Sequence, residues 1–130
     1  MDCLFCKIVN EEIPANKVYE DENVLAFLDT NPIADGHTMV IPKIHVEEFF
    51  QLDEQNYSHL MDVVKRVASV IKNAYNPPRV GVIVYGLHVA HAHIHLYPNT
   101  GNEIFMHQDR KYSEEKLKQE AQKLQKLFKQ

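Results

Sequence analysis

His88-Val-Ala-His-Ala-His-Ile-His-Leu-Tyr-Pro98 sets three histidines, His91, His93 and His95, at alternate positions. A β-strand repeats every two residues, so this stretch reads as a strand with Ala90, Ala92, Ile94 and Leu96 facing a core and three imidazoles lining the opposite face. Neighbouring rings on that face would lie roughly 6 to 7 Å apart. On a helix the same rings would spread around the axis, and Pro98 favours an extended segment that ends there. Imidazole is the side chain best suited to donate, accept or attack near neutral pH, and it is a frequent metal ligand. The row points to phosphate chemistry or to a metal.

Working outward, the chain reads as α+β. Lys17-Val-Tyr-Glu20 and Val24-Leu-Ala-Phe-Leu28 flank an acidic turn, Asp21-Glu-Asn23, and predict a hairpin. Asn31-Pro-Ile-Ala-Asp-Gly36 is turn chemistry, followed by a third strand, His37 to Ile41, stopped by Pro42. Asp53 can cap a helix whose apolar stripe is Leu60, Val63, Val64, Val67, Val70, Ile71 and Ala74, ended by Asn76-Pro-Pro78. Val80 to Tyr85 predicts the fourth strand and Val89 to Tyr97 the fifth. A polar stretch, Asn99 to Tyr112, precedes a last amphipathic helix opened by Ser113, with Leu117, Ala121, Leu124 and Phe128 along one face.

Composition bounds the rest. The chain has 130 residues, 45% hydrophobic and 25% charged, which suits one domain able to bury a core without staples. A net charge of -4 leaves no electrostatic footprint for a nucleic-acid backbone. No apolar stretch reaches membrane-spanning length, and Met1-Asp-Cys-Leu-Phe-Cys6 lacks the basic head and apolar run of a secretory signal. Cys3 and Cys6 are too close in sequence to staple a secreted framework. These features predict a cytoplasmic protein that engages neither nucleic acid nor membrane.

The chemistry of the row stays open at this level. A His-x-His pair with a further histidine is one way to hold a catalytic zinc, here with His91, His93 and His95 as ligands. A neutral imidazole can instead attack a phosphoryl centre, while neighbouring imidazoles donate hydrogen bonds to the non-bridging oxygens. Spacing alone does not choose between these.

His91-Ala-His-Ile-His-Leu-Tyr97 resembles the His-φ-His-φ-His-φ-φ motif of the histidine triad (HIT) superfamily, φ being apolar. Three more segments resemble that family in matching order. Cys3-Leu-Phe-Cys-Lys-Ile-Val9 with Glu12-Ile-Pro14 resembles its opening, and Phe27-Leu-Asp-Thr-Asn-Pro32 its nucleoside-binding turn. Gly36-His-Thr-Met-Val-Ile-Pro-Lys-Ile-His45 resembles its phosphate-facing strand. The resemblance spans roughly residues 3 to 100 and implies a HIT-like fold, a five-stranded antiparallel sheet with flanking helices. Residues 1–112 would form the HIT domain, with 113–130 a C-terminal helix packed on it.

The resemblance also implies roles. His93 would be the nucleophile that attacks an α-phosphate, with His95 and His37 bonding the transferred phosphate. Asp29 would take the ribose hydroxyls, although it also suits a plain turn former before Asn31-Pro32. Phe5, Ile8 and Phe27 would wall the base, a duty that plain core packing resembles. Cys3, Cys6, His45 and His91 would hold a structural zinc, a closed Cys₂His₂ site, with no catalytic metal required. His88 departs from the family pattern: the loop Tyr85-Gly-Leu-His88 is short, lacks the amide side chain of many relatives, and puts an imidazole where they place a hydroxyl near the leaving group. His59 and His107 read as solvated polar residues.

The resemblance therefore implies a nucleotide hydrolase or nucleotidyl transferase acting on purine nucleoside phosphoramidates or related adenosine 5′-phosphate derivatives through a nucleotidyl-histidine, in a homodimer. The alternatives are dinucleoside polyphosphate hydrolysis and a nucleotide-binding interaction protein with vestigial activity.

Overall fold

The turn Asp21-Glu-Asn23 closes a hairpin between β1 (Lys17–Glu20) and β2 (Val24–Leu28). The Asp21 carboxylate accepts the N–H groups of Asn23 and Val24 at 2.8 and 2.9 Å and the Tyr19 hydroxyl at 2.8 Å, which fixes the turn by side-chain acceptance of backbone donors. Nε2 of His59, from the long helix, lies 2.6 Å from the same carboxylate. His59, still partly exposed, therefore also cross-links helix and hairpin. The computed structural model describes residues 2–101 and 111–129. His107 and most of the polar stretch before the last helix lie outside the described residues.

Three more strands, β3 (Thr38–Pro42), β4 (Arg79–Ile83) and β5 (Ile94–Asn99), complete a sheet of order β1-β2-β3-β5-β4 with every pairing antiparallel. Among the described residues three helices flank it, α1 (Leu4–Val9), α2 (Glu54–Tyr75) and α3 (Glu114–Phe128), with one 3₁₀ turn at Phe49–Gln51. Asp53 caps α2 by accepting the Asn56 N–H, and Ser113 caps α3 by accepting that of Lys116. Asn76 ends α2 in the left-handed region, and the two prolines behind it prevent continuation.

The sheet's period of two divides its residues between two cores. Val24, Ala26, Leu28, Val40, Ile94 and Leu96 face α2 and α3, where the predicted stripe of α2 from Leu60 to Ile71 and Leu117, Ala121 and Leu124 of α3 are buried against them, with Ala74 and Phe128 partly buried at the margin. Leu60 is fully enclosed there, and truncating such a leucine to alanine costs about 2 to 5 kcal/mol. On the opposite face Leu25, Phe27, Met39 and Ile41 meet Cys3, Phe5 and Ile8 of the N-terminal segment. Among the described residues, no helix is long and apolar enough to cross a membrane.

The fifth strand departs from its expected span. It starts at Ile94 and not at Val89, so of the three histidines only His95 lies in the ladder, and Ala90 is exposed instead of facing the core. One neighbour runs out at this point, since β4 ends at Ile83, opposite His95, and the other, β3, continues only two residues past Val40, the partner of Ile94, to Pro42, which has no N–H to give. Other bonds continue the path, with Ala92 N–H donating to Val46 O at 2.7 Å and His91 Nε2–H to Pro42 O at 2.8 Å. Pro98 does not stop β5 but lies within it, paired with Val80 near the sheet edge.

Burial opposes ionisation of Asp21, but its four donors outweigh it and hold the carboxyl down to about 2 from 3.8. An acid depressed in this way contributes stability above its unfolded pKa, here about 2 kcal/mol, and the contribution disappears as pH falls through the folded value. Asp21→Asn is expected to lose about that much in urea unfolding at pH 7. The gap between variant and wild type should close between pH 4 and pH 2.

Candidate active site

The face opposite α2 and α3 carries every histidine of the row. β3 and β5 pair with Met39 opposite His95, and His37 precedes β3 on the side that Met39 and Ile41 occupy. His37, His91, His93 and His95 are 1%, 0%, 3% and 4% exposed, so their protonation is decided by the protein and not by water.

Backbone groups decide which nitrogen of His37 and of His93 carries a proton, and His37 in turn decides it for His95. The Ile33 N–H donates to His37 Nδ1 at 3.1 Å, so the neutral ring keeps its proton on Nε2. That proton is 2.9 Å (heavy atoms) from His95 Nδ1, which must accept it, and His95 is left with its proton on Nε2. His93 Nδ1 donates to the His91 carbonyl at 2.7 Å, so its Nε2 holds a lone pair. The rings of His93 and His95 are 5.1 Å apart at 78°. The arrangement thus sets one nucleophilic nitrogen beside one N–H donor.

Burial keeps these rings neutral. It pushes His37 down to about 4 from 6.5, and His95 likewise to about 4, helped by the neighbouring His37 and His93. Burial also lowers His93, against the opposing bond to the His91 carbonyl.

Phe5, Ile8 and Phe27, expected to wall a base, are buried together. Phe5 stands edge-on to Phe27 at 5.6 Å and to His93 at 5.1 Å, so α1 braces the His93 ring. Asp29 both forms its turn and approaches the buried histidines. Its Oδ1 accepts the Asn31 N–H at 2.8 Å, while its Oδ2 lies 3.7 Å from His37 Nε2. His88 is exposed and stacks on Tyr85 at 5.1 Å, and a positive charge on it would lower the proton affinity of His93 and His95.

Two clusters have metal-ligand composition. In the first, His91 Nδ1 lies 3.4 and 3.5 Å from the sulfurs of Cys3 and Cys6, and His45 Nδ1 lies 3.3 Å from Cys6 Sγ. Tetrahedral zinc with bonds of about 2.3 Å to sulfur and about 2.0 Å to nitrogen separates its S and N ligands by about 3.5 Å, so the spacing fits. His91 Nε2–H is held by Pro42 O, which leaves Nδ1 as the ligand atom and fixes the ring as an outer partner does. The second cluster, Asp29, His37 and His95, does not fit. His37 already uses its Nδ1 lone pair on Ile33, so a metal on Nε2 would require an imidazolate or loss of that bond.

The zinc hydrolase with His91, His93 and His95 as joint ligands is corrected by this geometry. His91 turns to the thiols, and His93 belongs to neither cluster. The reason is the missing ladder before Ile94, which frees His91 to bond Pro42 instead of lining up with its neighbours. Sequence reasoning also missed the partners that set the tautomers, Ile33 N–H and the carbonyls of Pro42 and His91. They are main-chain atoms, and no residue type announces them.

Residues 10–102 match the HIT domain family. The chain belongs to that family. An uncharacterized HIT-like protein of Borreliella burgdorferi is 40% identical over 111 residues, 80% of each chain. The adenosine 5′-monophosphoramidase of Saccharomyces cerevisiae is 36% identical over 97 residues, 74% of this chain and 61% of the yeast protein. A crystal structure of a Zn-bound histidine triad family protein from Mycobacterium smegmatis superposes with a TM-score of 0.83 at 26% identity, covering 99% of this chain and 94% of that one.

Because the folded rings of His37 and His95 resist protonation until about pH 4, the unfolded chain takes up their protons first as pH falls below 6.5. Stability from these groups is complete above that value and declines down to about 4. Urea midpoints should fall across this window, and His37→Gln should flatten the slope. An equally steep slope in the variant would contradict the assignment.

Proposed function

We propose that the HIT domain of this chain cleaves purine nucleoside phosphoramidates or related adenosine 5′-phosphate derivatives at the α-phosphate, through a nucleotidyl group carried on His93. The observation that carries this reading is the bond from His93 Nδ1 to the His91 carbonyl, which leaves the lone pair on Nε2. The lone pair attacks phosphorus and the bond to the leaving group breaks, its electron pair leaving with that group, which takes a proton from His88 or water. The positive charge gained by the imidazole is stabilised through Nδ1–H by the same carbonyl. His95 Nε2–H donates to a non-bridging oxygen, its tautomer held by His37. Water then attacks the phosphorus, releasing the nucleoside monophosphate and a proton and restoring the neutral ring. Asp29 at the rim takes the ribose, and Phe5, Ile8 and Phe27 form the apolar side toward the base. The activity named for the yeast relative supports this substrate class.

Cys3, Cys6, His45 and His91 are read as a structural zinc site, supported by their spacing and by the zinc-bound relative. When bound, the metal would pin the N-terminal segment to the strands and supply no chemistry to the reaction. Two thiolate ligands suit the reducing cytoplasm. A homodimer is read through β4, an edge strand whose Val82, with Val84, Tyr85 and Leu87 just beyond it, is exposed. Light scattering should give twice the chain mass.

His93→Ala should lose at least about a thousandfold in turnover on adenosine phosphoramidate while still binding adenosine monophosphate. Substrate labelled at the phosphate should leave an acid-labile group on the His93 peptide. Turnover within tenfold of wild type in the variant would end this reading.

Elemental analysis is expected to find one zinc per chain, lost in Cys3→Ser together with several degrees of thermal stability. Protein purified without chelator and free of metal would refute the site. His88→Ser should shift the pH dependence of turnover and the ratio of amine to phosphate leaving groups, with nucleotide binding retained. Unchanged profiles would leave His88 without a part in the reaction.

A further inference from the structure

Tyr75, the last residue of α2, packs its ring on Gly36: a β-carbon at Gly36 would come within 2.3 Å of that ring. Gly36 also has a φ of +82°, so the residue before His37 must be glycine on two counts. The Tyr75 hydroxyl donates to Glu120 of α3 at 2.8 Å. One residue earlier, the Asp35 carboxylate accepts from the Tyr112 hydroxyl and lies 3.5 Å from Lys116 Nζ. The C-terminal segment therefore grips, from behind, the two residues that lead into His37.

The loop so gripped carries the amide that fixes the first tautomer. Asp29 N–H donates to His37 O at 3.0 Å and His37 N–H to Ala34 O at 3.1 Å, which folds the loop back so that Ile33 N–H meets His37 Nδ1. His37 and Asp29 adjoin β3 and β2, whereas Ile33 to Gly36 have no ladder partner. Whatever holds Gly36 holds the Ile33 amide in register.

We propose that Tyr75 is a positioning residue: its hydrogen bond to Glu120 makes α3 a clamp on the Ile33–Gly36 loop apex, and the clamp preserves the single tautomer of His37 and His95. This rests on the reading of His95 as the donor to the transferred phosphate. A donor that works in the transition state affects turnover more than binding, so loosening the clamp should lower kcat and spare nucleotide affinity.

The test uses the full chain with Tyr75→Phe, which keeps the ring on Gly36, together with Glu120→Ala and Glu120→Gln, the last retaining an acceptor for the hydroxyl. Imidazole nitrogen NMR reads the tautomers, hydrogen exchange reads the Ile33 amide, and kinetics on adenosine phosphoramidate read kcat. In Tyr75→Phe and Glu120→Ala the Ile33 amide should exchange faster, and His37 and His95 should show mixed tautomers. Their kcat should fall by about three- to tenfold with adenosine monophosphate affinity within about twofold of wild type, and Glu120→Gln should restore all of these. Wild-type exchange and a single tautomer in the first two variants would overturn the clamp. Mixed tautomers with full turnover would support the clamp and overturn instead the donor role of His95.

Discussion

The hydrogen bond from the Ile33 amide to His37 gives the site a direction. A neutral imidazole has one donor and one acceptor, so fixing one nitrogen fixes the other, and the order passes from Ile33 to His37 to His95. Burial is what makes the order dependable. With His37 and His95 pushed down to about 4, neither ring picks up the second proton that would erase the distinction between its nitrogens. A solvent-exposed pair with the same spacing would titrate near 6.5 and lose its polarity under mildly acidic conditions.

His91 joins this relay to the thiol cluster. Its side chain presents Nδ1 to Cys3 and Cys6, while its own carbonyl receives the Nδ1–H of His93. Phe5, on the short helix that Cys3 caps, leans on both rings. The N-terminal segment is thus joined to His93 in two ways, through packing and through the main chain of a candidate ligand.

Much of this was legible in the sequence because it lies in side-chain type and period. The hairpin limits, the caps Asp53 and Ser113 and the stripe of α2 follow from local rules that tertiary structure did not override. The alternation around the triad was legible too, since Ala92, Ile94 and Leu96 are buried in one core while the rings face the other way. What could not be read was where pairing stops. Extending β5 back to Val89 needed partners on both sides, but β4 ends at Ile83 and β3 goes only two residues further, to a proline without an N–H. The short α1, six residues long, gave no periodic signal of its own and takes its place from the apolar face that receives Phe5 and Ile8. The partner of His59 was illegible for a similar reason, because Asp21 is 38 residues away.

Main-chain atoms at Ile33, Pro42, Val46 and His91 hold this site in register, and a main-chain atom is common to every residue that can adopt the local conformation. The side chains at Ile33 and Val46 are therefore free to drift as far as packing allows, and the geometry can persist while the text around the histidines is rewritten. The exceptions are defined by the missing or added atom. Proline at position 33 would delete the one donor on which the relay depends, and a residue other than proline at position 42 would restore an N–H at the end of β3 and invite the ladder to continue. Such a site tolerates wide variation in its letters and little in its backbone.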